Sequence, residues 1–177
     1  MLPGDISHED DVKSMIRVDH AGEYGALRIY AGQLAVMGDS PERNTIKHML
    51  EQEQKHFDTF EDIMRTRKVR PTALMPLWHV AGFALGAATA LMGKKAAFAC
   101  TAAVESVIDG HYAAQKQRLD GKDEAALAGT IEKFREEEVE HHDIAMENGA
   151  EQAPLYSLLA YGIKSASRLA IYLSTRI

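Results

Sequence analysis

The stretch that decides the fold is Arg135 to Asp143, which reads R-E-E-E-V-E-H-H-D. Within it, Glu138 and His141 stand three positions apart, and Glu53 and His56 repeat that spacing in E-Q-K-H. On an α-helix such a pair lies about 60° apart around the axis and about 4.5 Å along it, so both side chains lean over one patch of one face. Two such pairs, with one glutamate from each of two further helices, form the ligand set of a two-metal carboxylate site in a four-helix bundle.

An acidic run on a helix is more often a solvated face than a metal site. The run also offers two other pairs, Glu137 with His141 and Glu138 with His142. The spacing favours Glu138 with His141, because the inward stripe around this pair advances by four, three and four residues, as it does in the earlier copy. The two stripes are Phe134, Glu138, His141, Ala145 and Met49, Glu53, His56, Phe60.

An internal repeat supplies the two remaining ligands. Glu23 is followed by Tyr30 and Gln33, and Glu105 is followed by Tyr112 and Gln115, so both glutamates have the tyrosine at +7 and the glutamine at +10. Each half of the chain therefore reads as a helix hairpin that carries one lone glutamate and one Glu-x-x-His pair. Packed about a pseudo-two-fold axis, the hairpins would bring together six metal ligands: Glu23, Glu53, His56, Glu105, Glu138 and His141.

Four carboxylates and two imidazoles suit two divalent first-row metal ions, since the carboxylate charges balance those of the ions. The same donors accept iron or manganese, so the residues alone leave the metal open. Burying four carboxylates without a metal would cost several kcal/mol each or force protonation.

Composition restricts the class of protein. The chain has 177 residues, the size of one domain with a full core, and we expect residues 1–177 to form a single domain. A net charge of −6 argues against nucleic acid as the main partner. A single cysteine, Cys100, excludes a disulfide framework and a Cys-rich metal site and fits a reducing compartment. The acidic N-terminus lacks an apolar core, so no signal peptide is expected.

Helical periodicity runs through most of the chain, and nothing reads as a strand. We predict an all-α, ferritin-like four-helix bundle with about six helices in all. Helices are expected from a Ser7 cap to about 37, over about 41–67, 95–119 and 123–148, and after Pro154. The last helix is predicted to be amphipathic, with leucines opposing basic residues: Leu155, Leu158, Leu159, Leu169 and Leu173 against Lys164, Arg168 and Arg176.

The stretch from Pro71 to Gly93 carries no formal charge and is rich in Ala, Gly, Leu and Met. Its length would allow a membrane span. Pro76, Trp78, His79 and the glycines make a span unfavourable, which leaves two readings: a core helix, or a helix lying in a membrane surface with its apolar face in lipid. His8, His48 and His79 have no ligand-like context and are interpreted as solvated or packing residues.

Several segments resemble the demethoxyubiquinone hydroxylase family of ubiquinone biosynthesis, and the resemblance covers the chain from about Val12 to its end. They are R-V-D-H-A-G-E-Y-G-A (17–26), R-I-Y-A-G-Q (28–33), V-R-P-T-A-L-M-P-L-W (69–78), G-F-A-L-G-A (82–87), E-V-E-H-H-D (138–143) and A-I-Y-L-S (170–174). The family's ligand motifs fall on the same six residues that the spacing selects.

The resemblance implies a ferritin-like di-iron monooxygenase that hydroxylates the ring of a polyprenyl benzoquinol, demethoxyubiquinol, with O2. It further implies peripheral attachment to the cytoplasmic side of the inner membrane. The electron donor is left open between NADH, a reductase and the quinol itself, and the chain has no dinucleotide fingerprint. A homo-oligomer or a lipid-binding partner protein of the same pathway also stays open.

The chain departs from the family near the third ligand. The family commonly has V-E-E-S-I-x-H-H-Y, whereas residues 104–112 read V-E-S-V-I-D-G-H-Y. Ser106 replaces a second acid, and Asp109 could bond a ligand imidazole or face solvent. His111 and Tyr112 match a His-Tyr pair that the family places near the quinone and in electron transfer. Tyr112, like Tyr30, could instead be a core tyrosine whose hydroxyl bonds a ligand carboxylate.

Two rival functions share the predicted fold. One is a ferritin-like oxidase or peroxidase for which iron or peroxide is the substrate. The other is a metal-stabilised helical scaffold that binds a lipid or a partner helix. The absence of a Cys-x-x-Cys pair disfavours a rubrerythrin-like enzyme.

Overall fold

A computed structural model describes residues 7–177, and all regular structure in that range is helical. The six α-helices are α1 (His8–Val36), α2 (Pro41–Arg67), α3 (Met75–Leu91), α4 (Lys94–Leu119), α5 (Ala125–Glu147) and α6 (Tyr156–Ser174), with a 3-10 turn at Ala150–Gln152 before α6. The predicted all-α bundle with six helices is confirmed. The prediction that no signal peptide is present rests partly on residues 1–6, which lie outside the described range.

Local sequence signals set the starts of the first two helices. The Ser7 side chain accepts a hydrogen bond from the backbone N–H of Asp10 at 3.1 Å, and Ser40 accepts one from Arg43 at 3.2 Å. Pro41 occupies the first turn of α2, where its missing N–H costs nothing. Both starts lie where the capping residues predict them.

The bundle consists of two antiparallel hairpins, α1 with α2 and α4 with α5. Two apolar clusters fill its interior: one includes Tyr30, Met49, Phe98 and Ala145, and the other includes Ile16, Phe60, Tyr112 and Ile131. Along α2 and along α5, the Glu-x-x-His pair lies between residues of the two clusters. The polar centre therefore lies in the middle of the bundle, closed at both ends by apolar side chains.

Helix α3 packs on the outside of the bundle by backbone contact with α1. A Cβ atom built on Gly86 would lie 1.9 Å from the carbonyl oxygen of Ile29, and one built on Gly32 would lie 2.1 Å from that of Phe83. Neither position can hold a larger residue at this separation of the two helices.

The exposure of α3 excludes one of its two predicted interpretations, the core helix. Only Gly86, Thr89 and Ala90 are buried in this helix, whereas the side chains of Leu77 and Val80 are exposed by 52% and 66%. The prediction of a core helix is wrong. The small residues of α3 make one narrow contact with α1, and large apolar residues such as Leu77 and Val80 face outward. Among the described residues, no helix combines the length and the apolarity that crossing a bilayer requires.

Helix α6 covers α1 and α4 on the same side of the bundle as α3. Its buried residues are Ala160, Ile163 and Ser174. The predicted leucine face packs only in part: Leu159 contacts the core, whereas Leu155, Leu158 and Leu169 are all more than half exposed. Several large apolar residues of this segment therefore remain at the surface.

Candidate metal centre

All six residues that the repeat selects converge in the middle of the bundle. Their ligand atoms form two overlapping groups, each with its members within 4.8 Å of one another and all of them buried. One group is Glu23, Glu53, His56 and Glu138, and the other is Glu53, Glu105, Glu138 and His141. Two glutamates belong to both groups, so the cluster has the composition of two metal positions joined by shared carboxylates.

The shared glutamates divide their oxygens between the two histidines. Glu138 places Oε1 at 3.1 Å from Nδ1 of His56 and Oε2 at 3.4 Å from Nδ1 of His141. Glu53 places Oε2 at 3.9 Å from Nδ1 of His56 and Oε1 at 3.1 Å from Nδ1 of His141. Glu53 and Glu138 are therefore the residues that two metal ions would share in this cluster.

Hydrogen bonding within the protein does not satisfy this cluster. Among the described residues, Oε1 and Oε2 of Glu53, Oε2 of Glu138 and Nδ1 of His141 are buried without a hydrogen-bond partner. Unpaired buried polar atoms are rare because each costs free energy. All four are ligand-type atoms of one cluster, and the donor set of oxygen and imidazole nitrogen fits divalent iron or manganese.

The pKa values of the cluster diverge when no metal is bound. Burial, followed by the charge of Glu138, raises the pKa of Glu53 and of Glu105 well above the usual value. Burial alone would raise the pKa of Glu138 too, but the nearby imidazoles of His141 and His56 outweigh it and lower that pKa to about 2. Ions entering the cluster would therefore displace protons held on Glu53 and Glu105.

Two tyrosines connect the hairpins across the cluster. The Tyr30 hydroxyl donates to Oε1 of Glu105 at 2.8 Å, and the Tyr112 hydroxyl donates to Oε1 of Glu23. Each tyrosine thus orients the lone glutamate of the other hairpin, as in the alternative of a core tyrosine that bonds a carboxylate. Both rings are buried core residues as well.

The alternative ligand pairs in the acidic run lie outside the cluster. Glu137 contacts Nε2 of His56 on the side away from the four carboxylates, and Gln52 Oε1 accepts from Nε2 of His141 at 3.1 Å. The His142 ring is half-buried, with Nδ1 at 3.2 Å from its neighbour Asp143. Sequence reasoning missed the roles of Gln52 and Glu137, although both directly precede a Glu-x-x-His glutamate and the repeat could have indicated them.

A second polar group lies beside the cluster. The buried carboxylate of Asp19 lies 3.2 Å from Nε2 of His111 and accepts a hydrogen bond from Gln115 Nε2 at 2.7 Å. Burial raises the pKa of Asp19, and the contact with His111 partly offsets that rise. Asp19 was also missed, because a single aspartate on helix α1 carries no distinguishing sequence signal.

The residues at which the chain differs from the family pattern lie outside the buried cluster. Asp109 accepts from Arg135 Nε at 2.8 Å and bonds no ligand imidazole, while Ser106 accepts from Lys164 Nζ at 2.9 Å. His8 and His48 are exposed, and His79 pairs its Nδ1 with the Tyr24 hydroxyl at 2.6 Å. None of these groups belongs to the buried cluster.

An apolar cavity of about 160 Å³ lies between α1, α3, α4 and α6. Five of its lining residues also line a narrow gap that reaches Glu23, Glu53, Glu105 and Glu138: Val18, Gly22, Ala26, Ile108 and Ile171. His111 and Tyr112 line the same gap. At the other end, the exposed residues Ala81 and Ala166 mark an opening between α3 and α6. The cavity thus runs from the outer surface to the edge of the cluster.

Comparison with known proteins identifies a family that spans nearly the whole chain. The family described as "Ubiquinone biosynthesis protein COQ7" matches residues 10–174. The 3-demethoxyubiquinol 3-hydroxylase of Rhodospirillum rubrum is 54% identical over 177 residues, which cover 99% of this chain and 83% of the relative. The human NADPH-dependent 3-demethoxyubiquinone 3-hydroxylase is 53% identical over 169 residues, covering 94% and 78%. The 5-demethoxyubiquinone hydroxylase of Saccharomyces cerevisiae is 42% identical over 179 residues, covering 92% and 77%.

Proposed function

The chain belongs to the ubiquinone biosynthesis protein COQ7 family, and from that premise we propose that it is a two-metal monooxygenase that hydroxylates the ring of demethoxyubiquinol. We further propose that the chain forms one ferritin-like domain, with Glu23, Glu53, His56, Glu105, Glu138 and His141 as the metal ligands. We infer the reaction from the names of the relatives, and the buried cluster provides side chains that could hold the metals.

One observation carries the two-metal proposal: Glu53 and Glu138 each direct one oxygen toward His56 and the other toward His141. Two iron ions held in this way would supply the redox chemistry that activates O2. The protein contributes the geometry, with Tyr30 and Tyr112 orienting the two outer glutamates. The apolar clusters at both ends of the bundle exclude water from the site.

The apolar cavity is the proposed substrate site. A benzoquinol ring would lie at its inner end, beside the gap that His111 and Tyr112 line, and the polyprenyl tail would leave between α3 and α6. His111 is held by Asp19 and remains 20% exposed in its side chain, so it can meet a ring in the gap. We propose that His111 and Tyr112 border the quinol and assist in transferring electrons or protons toward the metals.

The balance of the reaction requires an external reductant. Hydroxylation replaces one ring C–H with C–OH, and the second oxygen atom of O2 leaves as water after it accepts two electrons and two protons. The human relative is named as NADPH-dependent, and we propose that a reduced nicotinamide nucleotide is the source of electrons here too.

Complementation of a bacterial strain that lacks its demethoxyubiquinone hydroxylase tests the function directly. Expression of this chain should replace the accumulated demethoxyubiquinone with ubiquinone, as measured by chromatography of extracted quinones. A strain that contains the folded protein and still accumulates the precursor would contradict the proposal. In purified protein, oxygen uptake that needs ferrous iron but no quinol would indicate a ferroxidase instead.

We propose that the surface of α3 and α6 lies against a membrane. Large apolar side chains are exposed on both helices, including Leu77 and Val80 on α3 and Leu158, Tyr161 and Leu169 on α6. Exposed apolar residues clustered on neighbouring helices are typical of a surface that meets lipid or protein. The cavity opens between these same two helices, so a polyprenyl substrate could enter without crossing water.

Replacing Leu158 and Leu169 together with glutamate should lower binding to vesicles of anionic phospholipid by about a hundredfold or more, because each leucine buried in lipid contributes ~1.5–3 kcal/mol. The bound fraction is measured by flotation of the purified protein with the vesicles. Val139→Glu is the matched control, since Val139 is an exposed apolar residue on α5. Equal loss of binding in the control would argue against a defined lipid-facing surface.

A further inference from the structure

Each ligand histidine points its second ring nitrogen across the bundle to a residue of the other hairpin. Nδ1 of both rings faces the shared carboxylates, at distances of 3.1–3.9 Å from the nearer oxygens of Glu138 and Glu53. Nε2 of His56 contacts Oε2 of Glu137, and Nε2 of His141 lies 3.1 Å from Oε1 of Gln52. Since both partners present an acceptor oxygen, an imidazole that bound a metal through Nδ1 would keep its proton on Nε2 and donate it to its partner.

The two partners are equivalent in position but not in chemistry. Gln52 directly precedes Glu53, and Glu137 directly precedes Glu138, so the pseudo-two-fold axis relates them. One partner is a neutral amide and the other is a carboxylate. An imidazole that donates to a carboxylate becomes the more basic metal ligand, and the added negative charge attracts the cation further. The carboxylate of Glu137 should therefore make His56 a more basic metal ligand than the amide of Gln52 makes His141.

We propose that Glu137 and Gln52 are positioning residues that make the two metal positions unequal, so that the position at His56 binds its ion more tightly than the one at His141. This inference rests on the proposed two-metal site. Glu137 belongs to neither of the two groups of atoms that could ligate an ion, and the Gln52 oxygen lies against Nε2 of His141, the ring nitrogen that faces away from the shared carboxylates. The other contact of Glu137, with Lys133 at 3.7 Å, is an ion pair on a partly exposed surface and contributes little.

The test isolates each metal position with a histidine substitution. His141→Ala leaves the position of Glu23, Glu53, His56 and Glu138, and His56→Ala leaves the other. Co²⁺ affinity of each single-position protein is measured by titration calorimetry. Adding Glu137→Gln should weaken Co²⁺ binding by about 10–100-fold in the His141→Ala protein and leave it unchanged in the His56→Ala protein. Adding Gln52→Glu should strengthen binding only in the His56→Ala protein.

Glu140→Gln is the matched control, because Glu140 is exposed on the same helix and the change removes the same charge. Equal weakening of Co²⁺ binding by Glu140→Gln and Glu137→Gln would overturn the inference, because the effect would then come from the net charge of the protein and not from the contact with His56. So would an effect of Glu137→Gln of the same size at both positions. Because Glu137→Gln and Gln52→Glu act on different helices, either variant alone can decide the matter if the other is poorly folded.

NMR spectroscopy can detect the hydrogen bonds that the two histidines donate from Nε2. In the wild-type protein loaded with Zn²⁺ and labelled with ¹⁵N-histidine, the Nε2–H proton of His56 should resonate further downfield than that of His141, since it is bonded to a carboxylate. Glu137→Gln should move only the first signal upfield. A wild-type protein that binds no Co²⁺ or Zn²⁺ would remove the proposed function, whereas two bound ions with unmoved signals would remove only this inference.

Discussion

Glu138→Ala should reduce bound iron to less than one ion per chain and lower the rate of quinol hydroxylation by about 10³-fold or more. The reason is geometric: Glu138 is one of the two residues whose oxygens face both histidines, at 3.1 Å from His56 and 3.4 Å from His141. In the proposed site, its removal would take one ligand from each metal position at once. Iron content by atomic emission and hydroxylated quinone by chromatography measure the two effects.

Glu138→Gln sharpens this test, because it keeps the size of the side chain and removes its charge. We expect the same loss of iron, since a neutral amide cannot bridge two cations as a carboxylate does. Glu136→Ala is the control, an exposed acidic residue two positions away on α5. A Glu138→Ala protein that keeps two iron ions and full activity would show that the shared carboxylates do not hold the metals.

Ala170→Phe should lower kcat/KM for quinol by about 10²-fold while leaving the iron content unchanged. Ala170 lines the apolar cavity but not the gap that reaches the glutamates. A benzyl group at this position would occupy much of a cavity of about 160 Å³ and displace the substrate ring from the metals. Steady-state kinetics with a short-tailed demethoxyubiquinol separate this effect from loss of metal.

Ser165→Phe provides the matched control on the same helix. Ser165 is exposed and does not line the cavity, so the same bulky group should leave kcat/KM near the wild-type value. Wild-type kinetics for Ala170→Phe would place the substrate elsewhere. Parallel loss in both variants would indicate a general disturbance of α6 instead of a blocked cavity.

The sequence was most informative where two copies of a pattern could be compared. The Glu-x-x-His spacing and the +7 tyrosines predicted which residues meet, and the structure brings all of them together because helical periodicity fixes which side of each helix they occupy. Helix starts at Ser7 and Ser40 were equally readable, since capping is a local interaction.

Features that depend on how the helices pack against one another could not be predicted from the sequence. The leucines of α6 form a regular apolar pattern, but periodicity alone does not say which of them meet the core; Leu159 packs there with Ala160 and Ile163, whereas Leu158 and Leu169 remain exposed. Glu137 looks like one more solvated acid until the position of His56 on another helix is known. The cavity has no sequence signal, because it is bounded by four helices from distant parts of the chain.

The side of α3 that contacts α1 and the side that faces outward differ in how strictly the structure restricts their residues. Gly32 and Gly86 fix the distance between the backbones, so α3 is tied to the rest of the protein by a few small positions. Outward-facing residues such as Leu77 and Val80 take no part in that attachment. The outer side of α3 can therefore change in sequence without altering the distance between α1 and α3, and the buried glutamate and histidine cluster need not readjust.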